Sequence, residues 1–287
     1  NYEFILKNAN TDSQNSNLYK QNENYYLGGL FQYNSSLPLV KEDKYFKNIL
    51  KPRIALKLSP KHTKDKSNSY TRLDINNIYE VNRLASDDSL EGGASITFGN
   101  EFTRIDNKTL KEKFSFKLAN NVRFADNNDL PKTNQLGLKT SNLFGEISFS
   151  PNDYFKTNYN FAKKNNFEDN TYESITTELI TGKFKTSFDY INENNSQQDK
   201  TSYFLSELNF NINENNNLYF STRENKEKKL TEYYNLIYQY KNDCLAASVE
   251  YSKNYYDDRD IKPEESIFLK LTIMPFGQIA STPDLKK

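Results

Sequence analysis

Few side chains in this sequence are of the types that take part in metal or thiol chemistry. The 287 residues include one histidine, His62, one cysteine, Cys244, and one methionine. A structural zinc site needs about four cysteine and histidine ligands, so such a site is excluded. His62 lies in a polar segment and could serve as the base of a hydrolase, but the sequence positions no nucleophile or orienting partner beside it. We therefore expect no catalytic centre and no bound cofactor.

Four carboxylates between residues 74 and 91 are a second candidate for chemistry. Asp74, Asp87, Asp88 and Glu91 could together bind calcium, which prefers carboxylate oxygens. The spacing of an EF-hand loop is absent, and a solvated loop is the simpler interpretation. The sequence thus predicts no metal site, and the function must lie in the architecture that positions these residues.

Composition and charge restrict the class of protein. Lysine plus arginine total 38, as do aspartate plus glutamate, so the chain lacks the basic excess that is typical of nucleic-acid binding. Mean hydropathy is low at −0.89, yet aromatic residues make up 14% of the chain, which argues against disorder. No run approaches the roughly 18 apolar residues of a membrane helix. Because the alternating pattern is already present at Asn1, we interpret the sequence as a fragment that lacks its N-terminal part.

From about residue 142 onward, apolar and polar side chains alternate, as on a β-strand with one apolar and one wet face. Phe184 and Phe188 share one side, and Lys185 and Asp189 share the other. The pattern is broken by apolar residues on the polar side, namely Phe144, Leu205 and Ile237. We predict about fourteen strands, near residues 2–9, 25–35, 49–59, 92–104, 110–122, 140–150, 154–163, 171–180, 183–191, 202–212, 217–224, 231–240, 244–253 and 266–276.

Short and long connections alternate between these strands. Residues 151–153, 181–182 and 241–243 are short, whereas 163–170 and 254–265 are long. Short turns at one rim and long loops at the other are typical of an antiparallel up-and-down meander, and of outer-membrane β-barrels in particular. The sequence therefore predicts an all-β fold of that kind.

The supply of apolar residues fits a sheet with one lipid-facing side. Fourteen strands with about five lipid-facing residues each need roughly 70 apolar side chains. The chain holds roughly 100 hydrophobic residues, enough to cover one face of the sheet but hardly both. Aromatic residues near strand ends, such as Tyr154 and Tyr203, resemble the interfacial girdles of membrane barrels. A soluble β-sandwich or barrel with its apolar face inward stays open as the alternative.

Specific motifs between residues 36 and 99 resemble a known family. Residues 50–60 are followed by 77–83 and 87–99, in the arrangement of the barrel of the LPS-assembly protein family, LptD. Residues 36–39 are similar to that family's strand-end element, and residues 241–244 look like its C-terminal cysteine position. The residues that match the family pattern are Pro52, Arg53, Asn77, Tyr79, Asn82, Arg83, Asp87, Glu91, Gly92, Gly93 and Gly99.

The resemblance implies structural roles for some of these residues. Asn82 and Arg83 are expected to order the long connection from residue 60 to residue 91. Gly92, Gly93 and Gly99 are expected to allow bends or a close approach within the sheet rather than to bind phosphate.

The same resemblance implies a 26-stranded transmembrane barrel in the outer membrane, preceded by a periplasmic jelly-roll domain. Residues 1–287 would form the C-terminal portion of that barrel, with the jelly roll and the first strands missing. The implied activity is translocation of lipopolysaccharide and its insertion into the outer leaflet. The implied partners are lipopolysaccharide, an LptE-like lipoprotein plug, an LptA-type periplasmic bridge that binds the missing domain, and the barrel-assembly machinery.

Family members release lipopolysaccharide through a lateral gate between the first and last strands. The half of the gate that this chain would supply is its predicted last strand, which comprises Ile267, Phe268, Leu269, Lys270, Leu271, Thr272, Ile273, Met274, Pro275 and Phe276. Pro275 cannot donate a ladder hydrogen bond and would weaken the seam, or it simply ends the strand. Phe276 resembles the C-terminal aromatic residue that the barrel-assembly machinery recognises.

Cys244 follows a short turn, and the resemblance implies a disulfide with a cysteine in the missing N-terminal domain; a free thiol is the alternative. Two other functions stay open on the residues alone. One is a passive outer-membrane porin or uptake channel, and the other is a hydrolase that depends on His62.

Overall fold

The computed structural model describes residues 1–12, 14–15, 23–61, 63–194, 200–255, 262–273 and 277–281. Within these residues the secondary structure consists of sixteen strands. In chain order they are β1 (Tyr2–Thr11), β2 (Asn24–Ser36), β3 (Leu39–Glu42), β4 (Phe46–Ser59), β5 (Gly93–Asp106), β6 (Glu112–Arg123), β7 (Leu143–Asn152), β8 (Phe155–Lys163), β9 (Asn170–Thr181), β10 (Phe184–Glu193), β11 (Thr201–Asn213), β12 (Asn216–Asn225), β13 (Leu230–Lys241), β14 (Leu245–Asn254), β15 (Glu264–Ile273) and β16 (Gly277–Ser281). No helix in the described ranges is long and apolar enough to cross a membrane.

Each strand pairs with the next along the chain, except that β2 pairs with β4 and not with β3, and the described pairings are antiparallel. The prediction of an all-β antiparallel meander is therefore confirmed. The fourteen predicted strands correspond to β1, β2 and β4 to β15, while β3 and β16 were not predicted. Short turns such as residues 182–183 and 214–215 alternate with long connections such as 60–92 and 124–142, as expected.

Residues 36–39, predicted to form a strand-end element, span the end of β2 and the start of β3. Ser36 pairs with Arg53 and Leu39 with Leu50, so β2 and β3 follow β4 in one continuous register. Pro38 and Pro52 both fall in the gap between these pairs, where neither can donate a backbone hydrogen bond. The two prolines thus interrupt the ladder between β2 and β3, and the register with β4 continues across the gap.

The fold comprises two compact units. The first comprises Asn1–Phe149, Tyr159–Glu173 and Asn194–Asp199, and the second comprises Ser150–Asn158, Ser174–Glu193 and Lys200–Lys287.

In the first unit, the sheet exposes its apolar face and buries part of its polar face. Ile54 and Phe98 are 45% and 49% exposed on the apolar face, whereas Lys57 and Thr97 on the polar face are buried. The residues that cover the polar face come from loops 60–92 and 124–142. The buried hydrophobic cluster comprises Ala55, Leu73, Ile75, Ile78, Tyr79, Leu84, Ala119, Leu130, Leu136, Phe144, Ala162 and Tyr172. Phe144 breaks the alternation because its side chain packs into this cluster.

The second unit shows the same division between faces. Phe184 and Phe210 stack across β10 and β11 on the apolar face, with their ring centroids 4.3 Å apart. On the polar face, the carboxylate of Glu207 accepts hydrogen bonds from Ser187 and Tyr219. Among the described residues, large side chains on the apolar strand faces of both units, such as Ile54, Phe98 and Phe184, are exposed.

Candidate functional site

Residues 63–92 form a folded segment, which we call the strap, on the polar face of the first unit. It begins beyond the end of β4 and leads into β5. Asp74 organises a turn within it, because its carboxylate accepts hydrogen bonds from the backbone N–H groups of Asn76 and Asn77. Leu73, Ile75 and Ile78 of the strap are buried in the hydrophobic cluster of the first unit, together with strand residues and residues of loop 124–142.

Polar side chains on the strands bind the strap through its backbone. Gln32 on β2 donates a 2.7 Å hydrogen bond from its amide to the carbonyl oxygen of Tyr79. The ammonium group of Lys57 on β4 donates to the carbonyl oxygens of Glu80 and Val81, each at 3.0 Å. Gln32 and Lys57 are almost completely buried, so these contacts are shielded from water.

The Glu91 cluster (Lys57, Arg83, Glu91 and Arg123) joins the end of the strap to two strands. Arg83 binds the Glu91 carboxylate in a bidentate manner, with Nε to Oε2 at 2.9 Å and Nη2 to Oε1 at 2.5 Å. Arg123 on β6 reaches the same Oε1 at 2.7 Å, and Lys57 on β4 reaches Oε2 at 3.3 Å. The side chains of all four residues are at most 3% exposed.

One buried carboxylate thus faces three cationic groups. Burial by itself raises the pKa of Glu91, but the nearby charge of Arg83, followed by that of Lys57, holds the pKa well below its usual range. Arg83 also donates to neutral acceptors, the hydroxyls of Thr97 and Ser95 on β5. The cluster can hold charges and a backbone in place.

Three glycines of the family pattern lie beside this cluster. The carbonyl oxygen of Gly92 accepts a hydrogen bond from Arg123. Gly93 has a φ of +94°, and a Cβ there would meet the Arg123 guanidinium at 2.6 Å. A Cβ on Gly99 would collide with the carbonyl oxygen of Leu118 and with the hydroxyl of Tyr79. Gly93 and Gly99 thus permit close approach of backbone and side chains.

The carboxylates that were considered for calcium have other partners. Among the described residues, no group of three or more acidic, histidine or cysteine side chains could hold a metal ion. Asp88 pairs with Lys66 at 2.7 Å and with Lys64 at 3.5 Å. Burial raises its pKa, but hydrogen bonds from Lys66 and Ser86 outweigh that effect and lower the pKa to about 2. The interpretation of this region as a solvated loop was wrong, because Asp88 and Glu91 are buried.

Further residues of the family pattern lie along one side of the strap. Arg53 binds Glu101 at 2.5 Å, and its guanidinium stacks on the ring of Tyr79 at 4.1 Å. Burial raises the pKa of Tyr79 to about 12. Asn77 donates from its amide to the carbonyl oxygen of Arg72.

A polar cavity of about 710 Å³ lies between the strap and the strands. Lys51 and Arg53 line it from β4, and Asn76, Tyr79 and Asn82 line it from the strap. The amide oxygen of Asn82 is buried with no hydrogen-bond partner. The exposed Asp87 lies at the strap surface.

Sequence reasoning identified Arg83 and Glu91 but missed their partners Lys57 and Arg123. The two partners lie 34 and 32 residues from Glu91 along the chain. A detectable signal was present, because both are basic residues on the polar side of a strand, close to the end where a long loop follows.

The predicted gate segment corresponds to β15, which ends at Ile273. It is not the last strand, because β16 pairs with it from Leu269 to Ile273. Met274, Pro275 and Phe276, like His62, lie outside the described residues. The gate role of Ile267, Phe268, Leu269, Lys270, Leu271, Thr272 and Ile273 stays a prediction.

Cys244 lies in the turn between β13 and β14, exposed and with a free thiol. Since the sequence contains one cysteine, no disulfide can form within this chain.

Comparison with solved structures gives distant likenesses. A substituted porin of Rh. blastica is 6% identical, with a TM-score of 0.38, and the match covers 97% of this chain and 91% of the porin chain. The siderophore receptor PirA from Acinetobacter baumannii is 9% identical, with a TM-score of 0.44, and the match covers 98% of this chain and 54% of the receptor chain. Comparison with curated proteins gives no match.

Comparison with family models identifies the family of this chain. The model described as LptD, LPS transport system D, matches residues 5–166. That range is more than half of the 287 residues and contains the strap, the Glu91 cluster and the three glycines. The chain therefore belongs to the LptD family, LPS transport system D.

Proposed function

We propose that this chain is part of an outer-membrane β-barrel that transports lipopolysaccharide and inserts it into the outer leaflet. The observation that carries the proposal is the match of the LptD family model to residues 5–166. The sheet supports it, because a strand with an exposed apolar face and a polar opposite face is what a bilayer on one side and an aqueous interior on the other require. In this proposal residues 1–287 are the C-terminal portion of a 26-stranded barrel.

Lipopolysaccharide poses a physical problem that a lateral gate solves. Its acyl chains prefer hydrocarbon, and its charged sugar head prefers water. A closed β-ladder blocks sideways passage, because each unpaired backbone group in lipid costs several kcal/mol. A seam with few hydrogen bonds opens at lower cost. Among the described residues, the pairing of β15 with β16 spans Leu269–Ile273.

The proposed assembly includes partners outside this chain. An LptE-like lipoprotein would fill the interior, and an LptA-type bridge would deliver lipopolysaccharide to a periplasmic domain. The exposed thiol of Cys244 lies in a short turn, which the proposed topology places at the periplasmic rim. A disulfide from Cys244 to a cysteine of that domain would tie the barrel to the delivery path. No chemical step is proposed.

Depletion of the full-length protein tests the function. We expect surface lipopolysaccharide to fall, because in this proposal the protein is the route by which lipopolysaccharide crosses the outer membrane. Newly made lipopolysaccharide should then accumulate in the inner membrane. The measurement is extraction and quantification of lipopolysaccharide from separated membranes. Loss of solute uptake with unchanged surface lipopolysaccharide would instead indicate a porin, and loss of a lipid-hydrolysing activity would indicate an enzyme.

A photocrosslinking residue at Leu271 tests the gate. Leu271 is 38% exposed on the apolar face of β15, and Leu236 is 39% exposed on the same face two strands away, so Leu236 is the matched control. We expect more lipopolysaccharide adduct at Leu271 than at Leu236 in intact cells. Equal yields at the two positions would refute the assignment of the gate to β15.

A further inference from the structure

A β-bulge on β13 brings a carboxylate onto the polar face of the second unit. The pairing of β12 with β13 skips Glu232, which is an extra residue next to Tyr233, the partner of Arg223. In a regular strand Glu232 would share the apolar face with Tyr234, because residues two apart lie on the same face. At the bulge its carboxylate instead accepts a 2.5 Å hydrogen bond from Nε of Arg223. Bulges that redirect a side chain in this way are common next to functional sites.

Arg223 lies on the polar face near the end of β12. It shares this face with Tyr219, four residues earlier on the same strand, whose hydroxyl binds Glu207. The central carbon of its guanidinium lies 5.1 Å from the ring centroid of Tyr203 and 5.6 Å from that of Tyr233. These two rings come from the strands on either side of β12. Ring contacts and the carboxylate together fix the orientation of the guanidinium.

The carboxylate that binds Arg223 is itself held in place. The side chain of Glu232 is 5% exposed, whereas that of Arg223 is 45% exposed. Oε1 of Glu232 accepts a 3.0 Å hydrogen bond from the amide of Asn225. The backbone carbonyl of Glu232 accepts a 2.8 Å hydrogen bond from the N–H of Tyr255. Glu232 is therefore a buried and fixed support for an exposed arginine.

The end of Arg223 that recognises anions is free. In the described part of the chain its side chain makes a hydrogen bond from Nε to Glu232 and none from either terminal nitrogen. Arg83 differs, because it turns both Nε and Nη2 to the carboxylate of Glu91. An arginine that only neutralised a carboxylate would bind it in that bidentate manner. The two terminal nitrogens of Arg223 instead form a fork of N–H donors, which matches the oxygens of a phosphate or carboxylate group.

We propose that Arg223 binds the phosphate or carboxylate group of an acidic sugar, and that Glu232 is the positioning residue that orients it. The anion follows from the free end of the guanidinium. The sugar rests on the proposed function, because the polar face would then meet the head of a passing lipopolysaccharide. Under that function the site lies toward the outer surface, since residues 226–229 after β12 are at the opposite rim from the short turn at residues 214–215.

Equilibrium dialysis of labelled sugars against the purified full-length protein in detergent tests the anion site. We expect glucose 6-phosphate or glucuronate to bind more tightly than glucose, because the uncharged sugar offers Arg223 no oxyanion. Arg223→Gln should weaken the binding of the acidic sugar by about tenfold or more. Arg223→Lys should weaken it by a smaller factor, since lysine keeps the charge but loses the fork, and this variant carries the test where Arg223→Gln does not fold.

Arg104→Gln is the matched control. Arg104 is also exposed, donates from Nε to Asn48 at 2.9 Å and stacks on the ring of Phe46 at 5.2 Å. Its partner is a neutral amide, and it lies on the apolar face of β5. The loss of this arginine should therefore leave sugar binding unchanged.

Glu232→Gln separates a positioning role from simple neutralisation. Loss of the carboxylate makes the site one charge more positive, so affinity for an anion would rise if Glu232 only neutralised Arg223. A positioning role predicts the opposite, a fall of about threefold or more, because Arg223 is then free to turn away from the ligand. Heat-modifiable migration shows that the variant is folded.

Each outcome has a defined meaning. Tighter binding of glucose 6-phosphate than of glucuronate would assign the site to a phosphate, and the reverse order would assign it to a carboxylate. Equal binding of glucose and the acidic sugars, or equal losses in Arg223→Gln and Arg104→Gln, would overturn the site. A rise in affinity in Glu232→Gln would overturn the positioning role.

The depletion assay separates this inference from the proposed function. Binding of acidic sugars at Arg223, together with unchanged surface lipopolysaccharide after depletion, would keep the site and remove the transport. Loss of surface lipopolysaccharide after depletion, together with no binding of acidic sugars, would remove the site and keep the transport.

Discussion

Replacing Glu91 with glutamine is expected to lower the free energy of unfolding of the full-length protein by about 3 to 5 kcal/mol. Glutamine has nearly the same shape, so the packing of the strap is preserved and the loss is electrostatic. Arg83 and Arg123 would then lie beside each other without a counter-charge, in a space where neither reaches water. The measurement is urea-induced unfolding of the purified protein in detergent micelles.

The matched control is a carboxylate in an exposed pair. Asp169 binds Lys164 at 3.0 Å, with the two side chains 55% and 35% exposed, so Asp169→Asn should change stability by less than about 1 kcal/mol. Equal effects of Glu91→Gln and Asp169→Asn would contradict the role of burial. Replacement of all four residues of the Glu91 cluster by apolar residues of similar volume should cost less than Glu91→Gln alone, because no uncompensated charge is left behind.

Much of the sheet could be predicted from the sequence because strand periodicity is a local property. Residues two apart share a face whatever the rest of the chain does, so the alternation around Phe184 and Phe188 predicts β10 without any tertiary information. The lengths of the loops could be predicted as well, because they follow from where each alternating segment begins and ends. The sequence did not predict β3, because Pro38 locally indicates the end of a strand. The pairing of Leu39 with Leu50 depends on β4, which lies further along the chain.

The candidate site was only half predictable because its contacts are not local. Arg83 and Glu91 are eight residues apart and were found through the family pattern. Lys57 and Arg123 come to Glu91 only through the pairing of β4, β5 and β6. The strap has no periodicity, so its hydrophobic residues could not be assigned to a buried core. The sequence showed Phe144 as an exception to the alternation. It could not show the cause, which is that Phe144 packs into a hydrophobic cluster with residues of two distant loops.

Replacing Leu236 with arginine is the second large effect that we expect. Leu236 lies near the middle of β13 on the apolar face, between Phe220 and Tyr251 of the neighbouring strands. At the middle of a bilayer an arginine on the lipid face of a barrel costs about 2 to 4 kcal/mol. The barrel should therefore insert poorly, and the measurement is the fraction of heat-modifiable, folded full-length protein in the outer membrane.

The control for Leu236→Arg is Gln239→Arg on the polar face of the same strand. Gln239 pairs with Asn217 and Ser248, so an arginine there meets polar neighbours and, in a barrel, water. Both positions are exposed in this chain, and a soluble protein would accept arginine at either one without loss. The difference between the two variants therefore reports what covers the apolar face. Poor folding of Leu236→Arg with normal folding of Gln239→Arg requires hydrocarbon there, whereas normal folding of both would mean that the apolar face of β13 does not contact lipid.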